Sequence, residues 1–196
     1  MNAISAAHKL DVSFRRCTAA QARQLSTTVE YVYRISYVEA VASGHSFDSV
    51  EAFMTRFESY SSRDDLDLVI AYYGGEAIGQ IWGWPLRIGS RSWDGLKPEP
   101  DAEFTREDGH RTFVLSEIMV NQNWTGKGVA HALHDILLAA RHERRATLFV
   151  EPDNIVARRA YEHWGWIKIG EQRPHWEDAP SFDVMVIDLS GFQENT

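Results

Sequence analysis

Apolar and polar positions change period several times along the chain, and each change predicts an element. Residues 12–16 alternate and read as a short strand. Thr18 follows as a helix N-cap, with Gln21 three positions later as its capping-box partner. The helical spacing of Leu25, Val29, Val32, Tyr33 and Ser36 predicts one long helix over 19–43, stopping at Gly44. Ser46 is expected to cap a second helix carrying Val50, Phe53, Met54 and Phe57, and polar residues 55–65 to include a loop. Residues 66–73 alternate as a strand, Gly74-Gly75 is a two-residue hairpin signal, and 76–84 pairs back until Pro85 ends it. From 85 to 111 the text turns to Gly, Pro, Ser and acidic residues, a long connection of the kind that is usually functional or mobile. Strand text returns at 112–120. A helix is predicted over 126–142, with Val129, Leu133, Ile136, Leu137 and Ala140 on one face, and a short buried strand over 146–150. Asn154 caps a helix that runs to Trp164 and closes at Gly165, and 166–170 and 182–189 read as the last strands.

The resulting order, β-α-α-β-β-β-α-β-α-β-β, predicts an α+β fold (an α/β-type mixed sheet) in a single domain over 12–190. A flexible N-terminal tail is expected at 1–11 and a C-terminal tail at 191–196. The 196 residues suit one domain. The net charge of −8, from 20 Lys and Arg against 28 Asp and Glu, repels phosphate backbones, so nucleic acid is not an expected partner. Cys17 is the one cysteine, which excludes an internal disulfide and a cysteine metal cluster and suits a reducing cytoplasm. No apolar run of about 18 residues predicts a membrane span, and residues 1–11 lack a signal-peptide pattern.

Two stretches carry chemistry. In the first, a strand ending at Val120 runs through Asn-Gln-Asn-Trp into Thr125-Gly126-Lys127-Gly128-Val129-Ala130-His131, where a helix begins. Helix-start amides behind glycines that permit unusual backbone angles are suited to a phosphate, although a plain strand-to-helix turn has the same text. The pattern is neither the Walker motif nor the dinucleotide fingerprint. In the second, Asn154 caps a helix and Tyr161, seven residues on, lies on roughly the same face, with Gly165-Trp166 after it.

Together these stretches resemble the GNAT superfamily of N-acetyltransferases. That family's signature is Gln/Arg-x-x-Gly-x-Gly/Ala, and here it reads Thr125-Gly-Lys-Gly128-Val-Ala130. Gly128 and Ala130 match, and Thr125 departs from the usual Gln or Arg. Residues 118–120 resemble the family's fourth strand, and Asn154, Ala157, Tyr161 and Gly165-Trp166 its second conserved block, with Trp166 replacing the more usual Phe. Element order agrees over about 12–189. The resemblance implies a mostly antiparallel six- to seven-stranded sheet flanked by helices, with the fourth and fifth strands splayed. It implies acetyl-CoA as co-substrate, its pyrophosphate on the amides of residues 125–131 (Thr125, Gly126, Lys127, Gly128, Val129, Ala130, His131). The backbone of Ile118, Met119 and Val120 would pair with the pantetheine arm, and Asn154 and Tyr161 would complete the cofactor site. Val120 N–H is the implied oxyanion donor and Tyr161 the implied acid that protonates the leaving thiolate.

The implied reaction moves an acetyl group to a primary amine of a small molecule by direct attack in a ternary complex. An ammonium with a pKa near ~10.4 must first lose a proton, and a positioned base supplies the sink. Glu117 is the candidate base, with a salt-bridged or substrate-orienting residue as the other reading. Glu39 and Glu30 on the first long helix are weaker candidates. On the acceptor side, Glu39, Trp82, Trp84, Trp93 and Glu117 are expected, the tryptophans as stacking surfaces or core residues. Asp94, Glu99, Asp101, Glu103, Glu107 and Asp108 in the long connection make either an acidic mouth or a solvated loop. His175-Trp176 would border the acceptor pocket. His131 and His134 share a helix face without a recognisable acidic ligand motif, so no metal is expected, and Cys17 has no identifiable base partner. Another donor or acceptor (a longer acyl-CoA, an aminoacyl-tRNA, a protein amine) and a non-catalytic acyl-CoA-binding module are the alternatives, and a homodimer is left open.

Overall fold

A computed structural model describes residues 4, 10–173 and 180–193; most of the tails expected at 1–11 and 191–196, together with His175 and Trp176, lie outside the described residues. The elements begin with β1 (Val12–Thr18), α1 (Ala19–Gln24), α2 (Ser26–Ser36), α3 (Val38–Ser43), a 3-10 turn (Ser46–Asp48) and α4 (Val50–Ser61). The hairpin β2 (Asp67–Tyr73) and β3 (Glu76–Pro85) follows, then α5 (Ala102–Thr105) and β4 (Thr112–Val120). A second 3-10 turn (Gln122–Trp124) leads to α6 (Val129–Ala139), β5 (Arg145–Val150) and α7 (Ile155–His163). The chain closes with β6 (Ile167–Gln172), β7 (Phe182–Asp188) and α8 (Ser190–Gln193). No described helix is long and apolar enough to cross a membrane.

The described strands form a seven-stranded sheet in the order β1-β2-β3-β4-β5-β7-β6. β1, β2 and β3 pair antiparallel, as do β5 with β7 and β7 with β6. Bonds from Asn121 N to Ile78 O (2.8 Å) and from Leu86 N to Thr112 O (2.8 Å) bracket an antiparallel β3–β4 pair. β4 and β5 are parallel, and their ladder is confined to Thr112, Phe113 and Val114 with Arg145, Ala146 and Thr147. Both strands run on past these ladder residues, to Val120 and Val150.

By internal contacts the chain divides into two compact units, Met1–Trp84 with Glu117–Leu138, and Pro85–Ser116 with Ala139–Thr196. The core of the first is built by α2 and α4 on β2 and β3: Val29, Val32, Tyr33, Phe53 and Phe57 pack with Leu68, Ile70 and Trp82. Tyr33 stacks flat on Phe53 at 3.8 Å between centroids. In the second, Phe113, Ala146, Leu148, Val184 and Met185 are fully or almost fully buried.

The structure corrects several boundaries. The single helix expected over 19–43 is broken at Leu25 (φ −101°, ψ 16°) and Tyr37 (φ −110°, ψ 42°). Leu25 N–H is shared between Gln21 O and Ala22 O, a tightened last turn, and Ser26-Thr27-Thr28 follows with low helix propensity. The cap of the next helix is Ser49, which accepts from Ala52 N at 3.1 Å, rather than Ser46. That helix continues to Ser61, because the buried stripe of Phe53 and Phe57 extends one more turn, and the loop expected within 55–65 occupies its last residues, 62–65. α6 starts at Val129, not 126, since Gly126 and Gly128 take φ +75° and +81°, outside the right-handed helix. It ends at Ala139, short of the expected 142. The long connection contains buried Leu86, Trp93 and Leu96 and the short helix α5. The capping box at Thr18 and Gln21, the Gly74-Gly75 hairpin, the Asn154 cap and the αL Gly165 are all present.

Candidate active site

Glu117 sits near the end of β4, half-buried. Among the described residues its carboxylate makes no hydrogen bond and no ion pair, so the salt-bridged reading does not hold. Burial pushes its carboxyl up to about 7, against the opposing pull of Arg56. Its charge in turn helps burial to raise the phenols of Tyr33 and Tyr60. Tyr60 stacks on Trp84 at 4.7 Å, and Arg63 lies 5.2 Å from the Trp84 ring. Tyr33 on α2 and Arg56 and Tyr60 on α4 thus lie within electrostatic reach of Glu117, and none of them was singled out for function in the sequence. The signal for Tyr60 and Arg56 was the apolar stripe of α4, which continues past Phe57.

The next residues of β4 face opposite edges in turn. Asn121 N–H bonds to Ile78 O on β3. By alternation, Ile118 and Val120 aim their N–H and C=O groups at the edge away from β3. Met119 is buried. Gly79 on β3 makes this packing possible: a Cβ there would meet Met119 O at 3.1 Å, a Val120 methyl at 3.1 Å and Leu133 Cδ1 at 3.2 Å.

After β4, the Asn121 side chain accepts from Asn123 N at 2.9 Å and its carbonyl from Trp124 N at 2.7 Å. Two cradle amides are used internally, Thr125 N to Gln122 O (3.2 Å) and Lys127 N to Trp124 O (3.4 Å). Helix geometry leaves Gly128, Val129 and Ala130 N–H without intrahelical acceptors. Thr125, Gly126 and Lys127 are exposed, and Gly126 and Gly128 face open space. Lys127 Nζ lies 4.9 Å over the Trp124 ring. One turn further, Asp135 joins His131 (3.4 Å) and the fully buried His134 (3.0 Å), a carboxylate beside the two histidines that the spacing had not marked.

In the other unit, Asn154 Oδ1 accepts from Ala157 N at 3.1 Å and caps α7. Tyr161 is buried on the same helix, edge-on to Trp164 (5.7 Å) and Trp166 (6.1 Å).

The remaining expected residues are dispersed. Glu39 is exposed on α3, and Glu30 pairs with Arg34 at 2.7 Å. Trp82 is fully buried between Phe53 and Phe57, so it presents no face to a ligand and is a core residue. Trp93 is buried and donates to Glu107 Oε1 at 2.8 Å. Trp84 alone of the three tryptophans is partly exposed beside Glu117's neighbours. The acidic mouth gives way to local neutralisation. Asp94 pairs with Arg91, Glu103 with Arg106 and Arg111, and Glu107 with Arg145, while Asp101 and Asp108 accept backbone N–H bonds. An open hollow of about 620 Å³ lies in the same connection, lined by Ser90, Trp93, Lys97 and Thr105 among others. Cys17 is buried, and burial pushes its thiol up, away from nucleophilic use.

Among the described strands, a mixed sheet with one parallel ladder of three residue pairs, and a glycine turn into a helix after the first strand of that ladder, match an acetyltransferase fold. The chain belongs to the acetyltransferase (GNAT) family, whose model matches residues 32–166. Solved structures agree on the fold. An acetyltransferase from Thermus thermophilus is 13% identical with a TM-score of 0.61, over 90% of this chain and 96% of that one. Ard1 from Thermoplasma volcanium is 17% identical with a TM-score of 0.58, over 90% and 97%. The PaiA N-acetyltransferase from Thermoplasma acidophilum, in complex with coenzyme A, is 15% identical with a TM-score of 0.54, over 90% and 98%. No curated protein sequence matches the chain significantly.

Proposed function

We propose that the protein transfers an acetyl group from acetyl-CoA to the primary amine of a small molecule, with Glu117 as the base. The observation that carries this reading is the Glu117 carboxyl. Among the described residues it is unpaired, and it is half-buried and poised at about 7, the range in which a general base works at neutral pH. Ile118 and Val120, immediately after it, offer backbone groups on the free edge of β4, which suits the amide-rich pantetheine arm.

The turn fits the phosphates of coenzyme A. Gly128, Val129 and Ala130 offer amides at the positive end of a helix dipole, and Gly126 and Gly128 leave open space for close approach. Thr125 keeps the amide geometry in place of the family's longer side chain. When bound, acetyl-CoA supplies an activated acyl thioester and a good leaving thiolate. Glu117 takes a proton from the acceptor ammonium, and the freed lone pair forms the new C–N bond. Val120 N–H faces the developing oxyanion. The match of Tyr161 to the family's acid position supports its giving a proton to the sulfur as the C–S bond breaks.

Acetyl-CoA is expected to raise Tm, and an amine panel to release free thiol. At 100 times Kd the gain from binding is about 2.7 kcal/mol. Tyr161→Phe is expected to lower kcat about 10²–10⁴-fold with the acetyl-CoA shift retained. An unchanged kcat between pH 6 and 9 removes Tyr161 from the mechanism.

A further inference from the structure

α6 brings three metal-ligating side chains together within little more than one turn. Among the described residues, the ligand atoms of His131, His134 and Asp135 all lie within 4.8 Å of one another. Asp135 Oδ1 is the hub, 3.4 Å from His131 Nε2 and 3.0 Å from His134 Nδ1. The acidic ligand missing from the histidine spacing is thus Asp135, next in sequence to His134. Residues three and four apart are neighbours on a helix surface, so the three meet without help from another element. The cluster is partly sunk into the fold. The His134 side chain is fully buried, that of Asp135 is 22% exposed and that of His131 36%. His134 is the one polar residue among the buried positions of α6, beside Leu133, Leu137 and Leu138. Burial favours its neutral imidazole, the form that ligates a metal.

Two imidazoles and a carboxylate suit zinc and its neighbours, whereas magnesium and calcium take oxygen ligands. A tetrahedral zinc ion with bonds of about 2.0–2.1 Å holds its ligand atoms about 3.3 Å apart, and the separations of 3.0 and 3.4 Å lie on either side of that value. Three protein ligands leave a fourth position for water. We propose that His131, His134 and Asp135 bind one divalent transition-metal ion of the zinc class. The ion takes the place of the proton between His134 Nδ1 and Asp135 Oδ1, with the imidazole in its other tautomer. The site uses side chains, while the turn before it offers the amides of Gly128, Val129 and Ala130, so the two draw on different groups. The inference stands apart from the acetyl-transfer reading.

The test is a titration of untagged, chelator-stripped protein with Zn²⁺, read by calorimetry, and with Co²⁺, read by visible absorption. One equivalent of Zn²⁺ is expected to bind, and Co²⁺ to give the d–d bands of a four-coordinate nitrogen and oxygen site. His131→Ala and Asp135→Asn are each expected to weaken binding at least about 10-fold, the loss that follows removal of even an outer-shell partner. His163→Ala, at an exposed histidine of α7, is expected to bind as the wild type does. His134 is left in place, since emptying a buried position would itself destabilise the helix. Melting without metal shows that each variant is folded. Absence of saturable Zn²⁺ binding overturns the proposal. So does wild-type affinity in either His131→Ala or Asp135→Asn, which places the ion elsewhere, or an equal loss in His163→Ala.

Discussion

Two glutamates, ten residues apart in sequence, are treated in opposite ways. Glu107 is 1% exposed at its side chain and accepts from Trp93 Nε1, Thr112 Oγ1 and Arg145 Nη2 at 2.8, 2.8 and 3.2 Å. Arg145, in turn, lies 4.1 Å from the Phe104 ring centroid and donates to Phe104 O at 2.7 Å. Glu117, more open, has no such partner among the described residues, and burial lifts its carboxyl to about 7. A buried charge that is paired and hydrogen-bonded holds structure together. A carboxylate left without partners is costly to the fold, and its cost marks a place where chemistry is done.

Glu117→Gln should separate these roles most widely. It is expected to lower kcat/KM about 10²–10⁴-fold while leaving the urea midpoint at pH 8 unchanged or higher. In the wild type, kcat/KM should rise as pH increases through about 7, since a base acts only when deprotonated. Stability should move the other way. A carboxyl whose pKa is higher in the folded state contributes most when protonated, below the unfolded pKa near ~4.3. That contribution fades as pH climbs to about 7, and Glu117→Gln should remove this part of the slope. Equal loss of stability and activity would make Glu117 structural. Arg145→Ala is the converse experiment. It strands Glu107 and is expected to cost about 3–5 kcal/mol in urea unfolding. Gly170→Ala should have the smallest effect, about 1–3 kcal/mol, because the added methyl runs into the Lys97 carbonyl where Lys97 and Glu171 exchange two backbone bonds of 2.8 Å. A wild-type midpoint would show that the connection can yield there.

The order of elements was legible because turn and cap chemistry is local: Gly74-Gly75, Thr18 with Gln21, Asn154 and Gly165 each act over a few residues. The breaks at Leu25 and Tyr37 were not, since the apolar period runs straight across them. The Glu107–Arg145 pair spans 38 residues, and nothing in local text links its ends. In the candidate site, Glu117 and the glycine turn were visible as strand and turn text. Arg56 and Tyr60 were hidden because residues 55–65 are polar and were expected to include a loop, with no mark of where within them the helix ends at Ser61. Trp82 and Trp84 are two apart on one strand yet differ in fate, because β3 is buried on both faces over most of its length and simple alternation does not apply.

The missing side chain at Gly79 also sets a spacing. With only a hydrogen on that face of β3, the end of β4 and Leu133 of α6 close down to van der Waals distance on the sheet. The first turn of α6, with its outward amides, therefore stands at a height fixed from below. A single methyl at Gly79 acts like a shim under a lens mount: the lens is untouched, but its focus moves.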